Sequence, residues 1–169
     1  MIDPSLRRTP VMIAALGAVA VLAMPTAHAD NKRLNDGVVA NVYTVQQQAG
    51  CTSNIKINPQ LQLAAQRHPQ DVLNNRNLDA DIGSDGSTVQ DRANAAGFRG
   101  MVAETAAINP AVAIIGIEVI NQWYYNPAHC AIMSNCANNA IGVWSENSLD
   151  RTVVVAVYGQ PPRPDDTRH

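Results

Sequence analysis

Asp79–Ala107, DADIGSDGSTVQDRANAAGFRGMVAETAA, is the stretch around which the rest of the chain is read. Asp85-Gly86 is a turn dipeptide, and Gly83 supplies a second position able to take a positive φ at little cost, so the chain folds sharply here. Ser87 stands three residues before Gln90, the spacing of a capping box, which predicts a short helix through Asp91, Arg92 and Ala93 to Ala96. Gly97 suits the left-handed residue that closes a helix, and Phe98 begins an extended piece. Within that piece Glu104 is flanked by Val102, Ala103, Ala106 and Ala107, and a carboxylate in apolar company needs a partner or a raised pKa.

Upstream, Leu34, Val38, Val42, Val45 and Ala49 recur at helical spacing, with Gly50 as a stop. Asn58-Pro59 gives a cap and a first-turn proline for a second helix, whose apolar face includes Leu61, Ala64, Ala65, His68 and Val72. His68 therefore points inward and reads as a core histidine with a hydrogen-bond partner ahead of a ligand. Pro69 predicts a kink or a restart, because it removes a backbone donor and crowds the preceding turn.

Downstream, Asn109-Pro110 predicts a third helix from Ala111 to Tyr125, with Glu118, Asn121, Gln122 and Tyr125 on one solvated stripe and Trp123 and Tyr124 packed. Asn126-Pro127 repeats the capping signal and places His129 in the first turn of a short helix. Two strands follow, Ala140–Ser145 and Thr152–Tyr158, joined by a turn over Glu146–Asp150. The apolar run Val153–Val157 is that of a strand covered on both faces. Helices before and strands inside imply three layers.

The chain opens with Arg7 and Arg8, an uncharged apolar run from Val11 to Met24, and Ala27-His28-Ala29, the outline of a signal peptide over residues 1–29 cleaved after Ala29. The run is shorter than the roughly 20 apolar residues of a comfortable span, so no membrane span is expected in the mature chain. Without those residues the balance is 10 basic against 13 acidic. The cations are scattered, with no stripe of the kind that nucleic-acid binders show. Residues 30–160 fit one domain, read as a monomer, and residues 161–169 read as a flexible tail. Export makes Cys51, Cys130 and Cys136 candidates for a disulfide. Cys51–Cys136 is preferred, tethering the end of the first helix to the chain that enters the final strands; Cys130–Cys136 is the rival, and sequence leaves both open. The odd thiol, Cys130, reads as a small buried hydrophobe.

Taken together, Asp81-x-Gly83-Ser84-Asp85-Gly86-Ser87-Thr88, Arg92, Ala96-Gly97-Phe98 and Ala103-Glu104-Thr105-Ala106 resemble the central signature of the CAP superfamily, or SCP domain. This domain is shared by cysteine-rich secretory proteins, venom allergens and plant pathogenesis-related proteins, and bacteria export single-domain versions. Ala64, Ala65, His68, Asp71 and Val72 resemble its early helix. Trp123, Asn126, Pro127, His129, Ile132 and Met133 resemble its Trp and Ser-x-x-His segment, and Ile141-Gly142-Val143 its following strand. The resemblance implies a three-layer α/β/α sandwich with a mostly antiparallel central sheet.

It also implies a cleft that in many members holds two histidines and two acids around a divalent metal. Glu104 matches one acid, with Thr105 in place of the motif's asparagine, and His129 matches one histidine, with Ala128 in place of glycine. Asp81 stands where the other histidine falls, and Asn126 sits nearest to the second acid. Asp81, Glu104 and His129 form a hard, incomplete set for zinc, magnesium or calcium, and no cofactor is required. No Gly-x-Ser-x-Gly elbow or His-Glu-x-x-His occurs. The expected function is therefore non-enzymatic: a secreted domain that binds a lipid or sterol, or an envelope or host protein. The alternatives are a metal-dependent, peptidase-like hydrolase using His129 and Glu104, and a structural or antigenic surface protein with a degenerate cleft.

Overall fold

The computed structural model describes residues 27–78, 81–110 and 114–162, so the apolar N-terminal run and nearly all of the predicted tail lie outside the described residues. Five helices and four strands follow one another in these segments: α1 Ala27–Gln48, β1 Lys56–Ile57, α2 Pro59–Asn74, α3 Val89–Ala95, β2 Met101–Asn109, α4 Gly116–Tyr124, α5 Pro127–Ser134, β3 Ala140–Asn147 and β4 Thr152–Gln160. The sheet runs β1-β3-β4-β2. β4 pairs antiparallel with β2 and β3, whereas the two-residue β1 pairs parallel with β3, so the sheet is mixed.

β4 explains the layering, because both of its faces are apolar. Val154, Ala156 and Tyr158 meet Val38, Val42, Val119, Trp123 and Met133 from α1, α4 and α5. Val153, Val155 and Val157 meet Leu61, Ala64, Ala65 and Val72 from α2 and Ala93 from α3. A strand buried on both sides reads as a continuous run, which is why Val153–Val157 does not alternate. At Gly142 of β3 an added Cβ would lie 2.1 Å from the backbone of Leu61 and Gln62, so α2 rests directly on the strand. The disulfide joins Cys51 to Cys136, with a Cα–Cα distance of 5.1 Å, and leaves Cys130 as a half-buried free thiol.

Several local expectations shift. The box that caps α3 is Thr88–Asp91, with the Thr88 backbone N–H donating to Asp91 Oδ2 at 3.0 Å and the Asp91 backbone N–H donating to Thr88 Oγ1 at 3.2 Å. Ser87 still belongs to the turn, donating its backbone N–H to Asp85 Oδ1 at 2.9 Å. Gln90 instead ties the helix to the coming strand: its Nε2 donates to Gly100 O at 3.1 Å, and its Oε1 accepts from Val102 N at 3.3 Å. α2 passes through Pro69 without restarting. A proline inside a helix costs about 3 kcal/mol, and the fully buried face of Leu61, Ala64, Ala65 and Val72 offsets it.

The third helix is shorter than its periodicity predicts. Asn109 is the last residue of β2, paired with Thr152, and Pro110 follows in a bend. Residues 111–113 lie outside the described residues, and α4 starts at Gly116, where the Glu118 carboxylate accepts from Ile115 N at 3.2 Å. Its polar stripe is exposed and Trp123 is buried, as expected. Tyr124 is half exposed and meets Tyr125 edge to face, because the buried stripe of so short a helix is filled by Val119, Ile120 and Trp123.

Candidate functional site around Glu104

α2, the 83–87 turn, α3, β2 and α5 position the predicted site residues. The turn is pinned to α2 by Ser84 N donating to Asp71 Oδ2 at 2.6 Å, and closed by Gly83 N donating to Ser87 O at 2.9 Å. That closure sets the start of α3, and with it Arg92. The Arg92 guanidinium is buried and uses two nitrogens: Nη1 donates to Ser87 O at 2.9 Å, and Nη2 donates to Glu104 Oε1 and Oε2 at 2.8 and 3.0 Å. Glu104 therefore has the partner that its apolar neighbours demanded. His68 Nε2 lies 3.9 Å from Glu104 Oε1, on the α2 side of the same acid.

Burial pushes the Glu104 carboxyl up to about 7; the Arg92 charge and hydrogen bonds pull it down, and the negative charge of Asp81 adds to the rise. His129 is half-buried, and desolvation holds its imidazole below its usual pKa against the opposing pull of Asp81. The exposed Asp81 thus acts electrostatically on both Glu104 and His129. Asn126 is spent on capping, its Oδ1 accepting from Ala128 N at 3.0 Å and His129 N at 3.3 Å. Thr105 is buried, with its hydroxyl 3.1 Å from Tyr158 Oη.

Among the described residues no group of three His, Cys, Asp or Glu side chains is placed to hold a metal ion. Arg92 takes the place beside Glu104. Sequence reasoning placed Arg92 in its helix but did not assign it to this acid, although a buried carboxylate asks for a cation. A cavity of about 350 Å³ opens beside this pair, lined by Arg67, His68, Asp71, Ser84, Asp85 and Arg92 among others.

These elements define an α/β/α sandwich with a buried acid on β2, a histidine on α5 and a cysteine bridge holding α1 to the approach to β3. The family model described as CAP, cysteine-rich secretory protein family, matches residues 28–158, and the chain belongs to that family. An outer surface protein of Borrelia burgdorferi superposes with a TM-score of 0.63 at 17% identity, covering 74% of this chain and 90% of that one. An extracellular protein containing an SCP domain, from Bacillus anthracis, gives 0.60 at 15% identity over 82% of this chain and 45% of its own, so this chain spans under half its length. NaASP2, solved with Zn²⁺, gives 0.51 at 10% identity over 78% and 81% of the two chains. At such identities the likeness is one of fold. Comparison with curated proteins finds no match.

Proposed function

We propose that this chain is an exported, monomeric, non-enzymatic domain that binds a lipid-like molecule, or an envelope or host partner, through its cleft or surface. The observation that carries the non-enzymatic part is the grip of Arg92 on both oxygens of Glu104. Nη2 of Arg92 takes up one lone pair on each oxygen, and a cation this close opposes both proton uptake by the carboxylate and the approach of a second cation. The ligand class is supported by Ile115, Ile117, Tyr124 and Tyr125, large apolar side chains exposed on and beside α4. Among the described residues no helix is long and apolar enough to cross a membrane.

Retention of a fluorescent sterol and a fluorescent fatty acid by the purified protein tests the lipid reading. Retention that falls in the double variant Ile117→Ser, Tyr124→Ser supports it, and retention no higher than that of heat-denatured protein ends it. Sequencing the N-terminus of protein collected from culture medium tests export, with Asp30 as the expected first residue.

A metal-dependent hydrolase is the second reading, favoured by His129: an imidazole held below its usual pKa is neutral near pH 7 and free to accept a proton or a metal. Calorimetric titration with zinc, magnesium and calcium, beside His129→Ala, decides it. Saturable heat abolished by the substitution supports a metal site, and no heat in the parent ends this reading. A structural or antigenic role predicts neither retention nor metal binding.

A further inference from the structure

β2 ends the sheet on its side, and among the described residues no strand lies against its outer edge. The Val102 N–H donates outside the sheet, to Gln90 Oε1 at 3.3 Å. Backbone groups alternate in direction along a strand, so those of Glu104, Ala106 and Ile108 also point away from β4. Exposure follows the same alternation, with these three half-buried and Thr105 and Ala107 buried. The Glu104 side chain is only 6% exposed, so much of what solvent reaches at this half-buried residue is its main chain. Among the described residues nothing bonds to the outward N–H groups of Glu104, Ala106 and Ile108.

Open edges pair with other chains, and proteins usually blunt them with prolines, lysines or bulges. β2 has none of these. Its sequence, MVAETAAIN, contains no proline or basic residue, and its register runs unbroken from Met101↔Gln160 to Asn109↔Thr152. Its one charge, on Glu104, is turned to Arg92. One rung of the edge is already answered by an amide. Gln90 Nε2 donates to Gly100 O at 3.1 Å while its Oε1 accepts from Val102 N, the two bonds that one residue of a neighbouring strand would make.

We propose that the β2 edge beyond Val102 takes up an extended segment of a partner protein as an added strand, one that carries a lysine or arginine where it passes Asp81. Main-chain bonds supply affinity in this mode, and side chains supply the choice of partner. Asp81 is exposed and joins no ion pair among the described residues. It lies near enough to Glu104 and His129 for its charge to act on both, which sets an unanswered negative charge beside the middle of β2. Such a segment would belong to the envelope or host partner proposed above, and it rests on that reading. It needs neither Ile117 nor Tyr124, the exposed side chains behind the lipid reading.

The test is a titration of ¹⁵N-labelled protein with a blocked heptapeptide of alternating valine and threonine around a central lysine. In the free protein the amides of Glu104, Ala106 and Ile108 should exchange with deuterium faster than those of Ala103, Thr105 and Ala107. Peptide should protect them, with a dissociation constant on the order of 100 μM. A central glutamate should weaken binding about tenfold, and Asp81→Asn should remove most of that preference. Ala106→Pro removes an outward N–H, leaves the bonds to β4 in place and should abolish binding. If that variant fails to fold, N-methylation of alternate peptide residues replaces it, with binding lost for one set and kept for the other. Equal exchange in the two sets of amides, no saturable binding, or binding indifferent to both blocks would overturn the proposal, as would a dimer formed through β2. Crosslinking on cells separates it from the partner reading. Equal adducts from the parent and Ala106→Pro would keep a partner and remove it from this edge, whereas no adduct from either would end both.

Discussion

One nitrogen of Arg92, Nη2, donates to both carboxylate oxygens of Glu104, at 2.8 and 3.0 Å, with both side chains almost wholly buried. This pair couples α3 to β2, and its protonation ties the stability of the fold to pH.

Burial raises Glu104 from an ordinary 4.5 to about 7, so the folded protein holds this proton at pH values where the unfolded chain has released it. The associated stability is complete below about 4.5 and is lost as pH rises through about 7. A shift of that size corresponds to roughly 3 kcal/mol. Thermal melts of the parent between those two pH values should therefore fall with rising pH, and Glu104→Gln should flatten the slope. A parent profile that rises across this window would contradict the assignment.

Arg92→Ala should destabilise strongly and in a pH-dependent way. Removing one partner of a buried pair leaves the other uncompensated, at a cost of about 3–5 kcal/mol. The loss in urea unfolding should be largest above pH 7, where Glu104 is ionised, and smaller near pH 5, where it takes up a proton. An equal loss at both would show that Arg92 acts through packing alone.

Gly142→Ala tests the contact between α2 and β3. The added methyl would lie 2.1 Å from backbone atoms of Leu61 and Gln62, and backbone on both sides has little room to give. Overpacking of this kind costs about 1–3 kcal/mol or more. Gly86→Ala is the control: its added Cβ meets nothing within 4 Å, so its cost comes only from the φ of 79°.

Cys51→Ser and Cys136→Ser should each lower stability by about 2–4 kcal/mol, since the bridge spans 85 residues of chain. The double variant should lose no more than either single one. Cys130→Ser should be close to neutral, and guanidinium unfolding compares all four.

Capping signals with a local cause were legible. Asn58 and Asn126 cap α2 and α5 with their own side chains, and Gly50 and Gly97 take the positive φ expected of them. The box at α3 slipped by one residue because Ser87, Thr88, Gln90 and Asp91 all suit such a motif, and only the turn hydrogen bonds show that Ser87 is already engaged. Pro69 and Tyr124 misled for another reason. Local rules weigh a proline or an aromatic ring alone, whereas the sheet beneath α2 and the short buried stripe of α4 decided those two cases.

The sequence by itself determined the layers: the unbroken valines of β4, the helical apolar faces on either side and an acid in apolar company that required a partner. These features depend on periodicity and on the cost of burying charge, which operate over a few residues. Only the tertiary structure decided that the partner is Arg92 and that Cys51 pairs with Cys136. Such relationships join residues far apart in the chain, and whether two side chains meet depends on how helices seat on the sheet, which no local pattern encodes.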